Sequence, residues 1–142
     1  MFKPIKLTES YYISPQVFVE DVQAIKEMGF DSIINNRPER ESDDQPEGKD
    51  LKAAIEMAGL SYYQNPIVLS ELTHREVDLQ AKCLEKSQKT LAFCRTGTRS
   101  SVLWTLNENF KGKNFDDLVK YVESMGIGLE RCMGVMQKNR VS

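Results

Sequence analysis

Residues 90–106 read TLAFCRTGTRSSVLWTL, and this stretch decides the fold. Four apolar or β-branched residues, 90–93, predict a buried strand. Cys94 follows that strand directly in a short polar loop, and the apolar residues within 102–106 predict a helix that begins at once. The sequence therefore places a cysteine between the end of a buried strand and the start of a helix.

The polar loop, residues 94–100 (CRTGTRS), has the composition of an anion site and is called the Cys94 loop below. Backbone N–H groups in a strand-to-helix turn point inward and combine with the helix dipole. Arg99 can bind an oxyanion through two parallel N–H groups, which a lysine cannot do. The expected oxyanion-binding residues are Arg95, Thr96, Gly97, Thr98, Arg99 and Ser100.

The same positive field stabilises a thiolate, so Cys94 is the expected nucleophile. We expect Cys94 to be solvent-accessible and ionised at neutral pH, with the Ser100 hydroxyl close to the sulfur. Cys83 and Cys132 lie among apolar helical positions, where a cysteine behaves as a small buried hydrophobe. One cysteine of the three therefore carries the predicted chemistry.

Further strands alternate with helical patterns along the rest of the chain. The predicted strands are residues 11–14, 32–35, 62–69 and 90–93. A capping box of Thr73 and Glu76 predicts the start of the helix before the last strand. We expect an α/β fold with a central, mostly parallel sheet flanked by helices on both faces.

Length and charge restrict the class of protein. The 142 residues fit one domain, residues 1–142, and a net charge of −2 gives no general attraction for nucleic acid or membrane. An odd number of cysteines and a single histidine, His74, argue against a disulfide framework and a metal site, and we expect no cofactor. The N-terminus lacks the apolar region of a secretory signal, so we expect a cytoplasmic protein.

Two further regions are candidates for the site. Asn36 and Arg37 end a predicted strand at the sheet edge where ligands of open α/β folds bind, so they are second-tier site residues. Residues 37–50 form a long loop with six acidic residues and no apolar side chain. Such a loop is either a solvated connector or a lid that faces the substrate.

Over residues 7–110 the sequence resembles the phosphatase-like domain family of β-lactamase-hydrolase-like proteins, also described as a sulfur transferase family. The resemblance rests on several motifs in order: Ser14-Pro15-Gln16, Gly29-Phe30, Ile33-Ile34-Asn35-Asn36-Arg37-Pro38, Glu41, Gly59-Leu60, Pro66, the Cys94 loop, and Leu103-Trp104. It implies the fold of cysteine-dependent dual-specificity phosphatases. There a thiolate attacks phosphorus, an arginine holds the oxygens and an acid protonates the leaving group; Cys94 and Arg99 match the first two roles.

The resemblance also implies partners: a small oxyanion or phosphorylated substrate, and a separate metallo-β-lactamase-type hydrolase. The loop departs from the dual-specificity pattern, because Phe93 replaces the usual histidine and only four residues separate Cys94 from Arg99. The expected acidic Asp is also missing. Glu71 is the candidate general acid, and its other interpretation is a charge preceding the Thr73 cap.

Three functions stay open on the sequence. The first is phosphate monoester hydrolysis through Cys94. The second is sulfur transfer, because the Cys94 loop also resembles that of rhodanese-type sulfurtransferases, in which the cysteine carries a persulfide. The third is a non-catalytic module that binds oxyanions.

Overall fold

The computed structural model describes residues 2–141, so Met1 and Ser142, the two ends of the predicted domain, lie outside the described residues. The strands in this range are β1 (Ile5–Lys6), β2 (Tyr11–Ser14), β3 (Ser32–Asn35), β4 (Ser61–Gln64) and β5 (Thr90–Phe93). The α-helices are α1 (Val22–Glu27), α2 (Gly48–Met57), α3 (His74–Glu85), α4 (Thr98–Phe110), α5 (Phe115–Ser124) and α6 (Met133–Asn139).

The strands form one sheet in the order β1-β2-β5-β3-β4. β5 lies at the centre and pairs in parallel with β2 and β3, so that Ala92 stands opposite both Ile13 and Ile34. β4 extends the parallel part on one side, and β1 pairs antiparallel with β2 on the other. The prediction of a mostly parallel sheet is confirmed.

Both faces of the sheet are covered, as predicted. Leu91 and Phe93 point to one face, where they pack with Ile25 of α1 and Leu51 of α2. Ala92 points to the other face, where the core includes apolar residues of α3, α4, α5 and α6. Alternate residues of β5 thus serve two cores, which explains why residues 91–93 of this central strand are all apolar.

The observed strands differ from the prediction at β4 and at β1. β4 ends at Gln64 rather than continuing to residue 69, because Pro66 has no N–H to give to a ladder and the chain then turns into a short 3₁₀ helix, Leu69–Glu71. The Ile67 N–H still donates to the Asn36 carbonyl at 2.9 Å, so the segment stays beside β3. β1 was not predicted, since two residues are too few to show alternation.

The helix start at Thr73 is confirmed. The Thr73 N–H donates to Glu76 Oε1 at 2.9 Å, and the Thr73 hydroxyl accepts from the Arg75 N–H at 3.3 Å. Within residues 2–141, no helix is long and apolar enough to span a membrane.

The topology collects the predicted site at one edge of the sheet. The carboxyl ends of β3 and β5 are neighbours, so the residues after them, Asn36 and Cys94, are brought together. The Asn36 N–H donates to the Phe93 carbonyl at 2.8 Å, which ties the two strand ends to each other.

Candidate active site

Cys94 lies where the sequence predicts, directly after β5 and four residues before α4. Its sulfur accepts a hydrogen bond from the Gly97 N–H at 3.1 Å. Gly97 adopts φ = 96°, a left-handed conformation that lets the chain reverse into the helix. The Cys94 loop therefore turns back over the sulfur atom.

Gly97→Ala is expected to lower the free energy of unfolding by about 1–2 kcal/mol, the cost of a left-handed conformation for a residue with Cβ. The added Cβ would lie 3.5 Å from the Ser14 carbonyl oxygen, an ordinary contact, so the backbone conformation and not a clash sets the cost. Urea unfolding measures it. A stability equal to that of the parent would show that the loop adopts another conformation in solution.

The loop backbone leaves several N–H groups without an acceptor. Within residues 2–141, no protein acceptor is hydrogen-bonded to the N–H groups of five residues of the Cys94 loop: Arg95, Thr96, Thr98, Arg99 and Ser100. Three of these belong to the first turn of α4, where a helix leaves its N–H groups without partners and carries partial positive charge. Together with the sulfur, they mark a place where an oxyanion can accept several hydrogen bonds.

The prediction that Cys94 is solvent-accessible is wrong, because the residue has 0% exposure. The cause is local. The loop folds back so that Gly97 contacts the sulfur, and α4 begins immediately after it. Cys83 and Cys132 pack in or against the core as expected, and burial raises the pKa of both thiols.

Arg99 lies in the first turn of α4 and points to the loop after β3. Its Nη1 and Nη2 atoms donate to the two carboxylate oxygens of Glu41 at 2.7 and 2.8 Å, and Nη1 also donates to the Ile67 carbonyl at 3.1 Å. The hydrogen bonds that Arg99 donates to Glu41 raise the pKa of Arg99, and the nearby Cys94 adds to the rise. Arg99 is therefore a fixed cation beside Cys94.

Glu41 is held by a second arginine. Arg37 Nε donates to Glu41 Oε1 at 2.9 Å, and the hydrogen bonds from Arg99 and Arg37 lower the pKa of Glu41 to about 2. The rest of the buried Arg37 guanidinium donates to Gln16 Oε1 at 2.9 Å and to the Ser42 hydroxyl at 3.2 Å. Arg37 thus holds the loop in place instead of offering its side chain to a ligand.

Asn36 contacts the Cys94 loop through Ser100. The Ser100 hydroxyl donates to Asn36 Oδ1 at 2.9 Å, so its proton is directed to this amide and not to the Cys94 sulfur. Asn36 is fixed in turn by Gln80, to which it donates through Nδ2 at 2.9 Å and from which it accepts through Oδ1 at 3.0 Å. Asn36 therefore orients the hydroxyl of Ser100.

Tyr11 closes this buried network. Its hydroxyl donates to the Ser100 carbonyl at 2.9 Å and accepts from Gln80 Nε2 at 3.1 Å. Burial raises the pKa of Tyr11 far above the usual range, so the phenol stays protonated and remains a donor. Because every member of this buried polar network is hydrogen-bonded, the network fixes the position of the first turn of α4.

Within the described residues, the side chains of Glu71 and His74 form no hydrogen bond with the Cys94 loop. Glu71 is exposed at the end of the 3₁₀ helix, and within the described chain its carboxylate is hydrogen-bonded to no residue of the Cys94 loop. His74 Nε2 pairs with the Asn139 carbonyl at 2.9 Å, and the ring packs on Phe110. Over residues 2–141, no group of three His, Cys, Asp or Glu side chains could hold a metal ion.

Two residues of the site were not predicted. Glu41 was quoted only as part of the resemblance, because nothing in its local sequence separates it from the five other acids of residues 37–50. The burial of Gln80 could have been predicted from its place in the sequence. It is a polar residue next to the apolar stripe of α3 that includes Val77, and it is fully buried in the structure.

The neighbours of this fold are cysteine phosphatases. A candidate phosphatase of Neisseria meningitidis is 31% identical, has a TM-score of 0.85, and is matched over 96% of this chain and 97% of that one. P. aeruginosa TpbA in complex with pTyr is 12% identical with a TM-score of 0.72, covering 96% of this chain and 81% of that one. The second comparison shows the fold, and it confirms the cysteine-phosphatase-like architecture.

A sequence relative is the beta-lactamase hydrolase-like protein of Agrobacterium fabrum, 31% identical over 78% of this chain and 26% of its own length. The chain thus spans only about a quarter of that relative. The family described as the phosphatase-like domain of beta-lactamase hydrolase-like proteins matches residues 5–110, which include the sheet, the Cys94 loop and α4. The chain therefore belongs to this phosphatase-like domain family.

Proposed function

We propose that this chain is a cysteine-dependent phosphatase that hydrolyses a phosphate monoester, with Cys94 as the nucleophile. The observation that carries the proposal is the set of five N–H groups of the Cys94 loop that have no acceptor within residues 2–141, in the same short turn whose Gly97 N–H donates to the Cys94 sulfur. A phosphoryl group presents several oxygens at once, and such a site can hydrogen-bond them as charge develops. The membership of a phosphatase-like family supports the same reaction.

The reaction has two steps. The Cys94 thiolate attacks phosphorus, the bond from phosphorus to the alcohol oxygen breaks, and that oxygen takes a proton from solvent water. Water then attacks the phosphocysteine, releases phosphate and restores the thiolate. The five free N–H groups of the Cys94 loop bind the phosphoryl oxygens, and the Arg99 guanidinium is their charged partner.

Access to the sulfur requires movement at the site. Cys94 is fully buried, yet phosphorus must come into contact with its sulfur. The side chains over the sulfur therefore shift when substrate enters.

The proposal is tested with two assays of the purified protein. One measures phosphatase activity on p-nitrophenyl phosphate, and the other measures sulfur transfer from thiosulfate to cyanide. We expect release of nitrophenol that vanadate inhibits, and no formation of thiocyanate. A Cys94 persulfide detected by mass spectrometry, with negligible phosphate release, would instead support sulfur transfer. Binding of vanadate without turnover in either arm would support the non-catalytic module.

Glu71→Gln is expected to change turnover by less than about threefold on both alkyl and aryl phosphates. Removing a general acid costs about 10²–10⁴-fold, most on poor leaving groups. Glu71 is exposed and is not hydrogen-bonded to the Cys94 loop, so its carboxylate is poorly placed to protonate a leaving oxygen. The measurement is the turnover of the parent and of Glu71→Gln on an aryl and an alkyl phosphate. A loss of turnover confined to the alkyl phosphate, which has the poorer leaving group, would assign the general acid to Glu71.

We also propose that residues 1–142 act as one phosphatase-like domain in the cytoplasm, with a metallo-β-lactamase-type hydrolase as a separate partner. The C-terminal helices support the single domain, because Leu118 of α5 and Met136 of α6 belong to the same core as α4. The three unpaired cysteines fit a reducing compartment. Affinity purification of the tagged chain from its own cells tests the partner, and recovery of no such hydrolase would contradict it.

A further inference from the structure

Glu41 makes the closest charged contact with the Cys94 loop, and its setting is unlike that of an ordinary surface ion pair. The side chains of Glu41 and Arg99 are 29% and 15% exposed, against 88% and 49% for the pair Glu9 and Lys6. An exposed pair holds neither partner firmly. The two-pronged contact between Glu41 and Arg99 is geometrically specific.

The loop fixes Glu41 before it meets Arg99. The Glu41 N–H donates to Gln45 Oε1 at 2.8 Å, and Gln45 Nε2 donates to the Pro38 carbonyl at 2.8 Å. Arg40, the preceding residue, has φ = 58°, a left-handed conformation that is rare outside glycine. The backbone is thus held in an unfavourable conformation just where it directs the Glu41 carboxylate inward.

The donors of Arg99 show what this contact leaves free. A guanidinium carries five N–H groups. One N–H of Nη1 and one N–H of Nη2 donate to the Glu41 carboxylate, and the second N–H of Nη1 donates to the Ile67 carbonyl. The remaining two, on Nε and Nη2, lie in the guanidinium plane and point in the same direction along one edge, and within residues 2–141 they form no hydrogen bond. This free pair is the geometry that binds an oxyanion through two oxygens.

We propose that Glu41 is a positioning residue for Arg99: it holds the end of the guanidinium so that the free Nε and Nη2 pair is kept for the substrate oxyanion beside Cys94. The proposal rests on the phosphatase function and adds a second loop to its site. The Glu41 carboxylate is then part of the active site, although it does not touch the substrate.

Two opposite roles of Glu41 predict opposite changes in oxyanion affinity when Glu41 is replaced. If Glu41 orients Arg99, its loss releases the guanidinium, and oxyanions bind more weakly. If Glu41 instead competes with the oxyanion for Arg99, its loss strengthens binding. The donor count favours the first role, because the contacts with Glu41 and Ile67 leave two parallel donors unused.

The test compares Glu41→Gln with Asp43→Asn, which removes the same charge from the same loop at an exposed residue. Vanadate affinity is measured by calorimetry and turnover with p-nitrophenyl phosphate. We expect Glu41→Gln to weaken vanadate binding about tenfold or more, the scale of hydrogen bonds to charged groups, and to lower kcat and kcat/KM together. Glu41→Asp, which keeps the carboxylate, recovers part of the loss, and Asp43→Asn changes neither quantity by more than about twofold.

A double-mutant cycle with Arg99→Lys separates positioning from a general effect on the fold. If Glu41 acts through Arg99, Glu41→Gln has little further effect once Arg99 is replaced. Equal losses in both backgrounds, or tighter vanadate binding in Glu41→Gln, would overturn the role. If the parent chain neither binds vanadate nor releases phosphate, the proposed function itself fails, whereas a functional parent with an unaffected Glu41→Gln variant overturns only the role of Glu41.

Discussion

Cys94→Ser is expected to reduce phosphate release by about 10⁴-fold or more, because the variant lacks the only proposed nucleophile. Serine is nearly the same size, and its oxygen can still accept the Gly97 N–H that the sulfur accepts at 3.1 Å. The alcohol is far less acidic than a thiol, so the anion needed for attack on phosphorus is hardly formed. Steady-state release of nitrophenol measures the loss.

The loss should be confined to chemistry. Vanadate or phosphate should still bind to Cys94→Ser, because the N–H groups of the Cys94 loop belong to the backbone and remain in place. Cys83→Ser is the matched control, since Cys83 is only half-buried on α3 and its replacement should change turnover by less than about twofold. Comparable turnover in Cys94→Ser and the parent would contradict the assignment of the nucleophile.

The central part of the fold could be predicted because local signals and tertiary structure agree there. The strand 90–93 is apolar on both sides and ends in a polar loop, and the structure places β5 over those residues. The boundary of β4 was less predictable. Residues 62–69 are largely apolar, but Pro66 and the pairing with β3 decide where the ladder ends, and pairing partners are not visible in a local pattern.

In the site, too, the features set by local sequence could be predicted and those set by the topology could not. Cys94, Arg99 and the loop amides are neighbours in sequence, so their chemistry could be inferred from spacing alone. The contact between Arg99 and Glu41 joins residues 58 apart, and only the topology brings the ends of β3 and β5 together. The burial of Cys94 was also not predictable, because it depends on how tightly the loop turns at Gly97.

Arg99→Lys is the second large change, with an expected fall in turnover of about 10²–10³-fold, the scale of losing a transition-state donor. Lysine keeps the positive charge but has one nitrogen with three donors. Arg99 already gives three N–H groups to Glu41 and Ile67 in the free protein, so a lysine that makes those contacts has none left for the substrate. Vanadate binding should weaken by about 1–3 kcal/mol.

Arg75→Lys is the control for this change, since Arg75 is exposed at the start of α3 and belongs to no part of the site. Its turnover should equal that of the parent. In Arg99→Lys, kcat should fall more than vanadate affinity does. The reason is that the two-pronged contact strengthens as charge develops on the phosphoryl oxygens in the transition state. If Arg99→Lys keeps parental turnover and parental vanadate affinity, charge alone suffices at this position, and the two-pronged contact of Arg99 with the oxyanion is not part of the reaction.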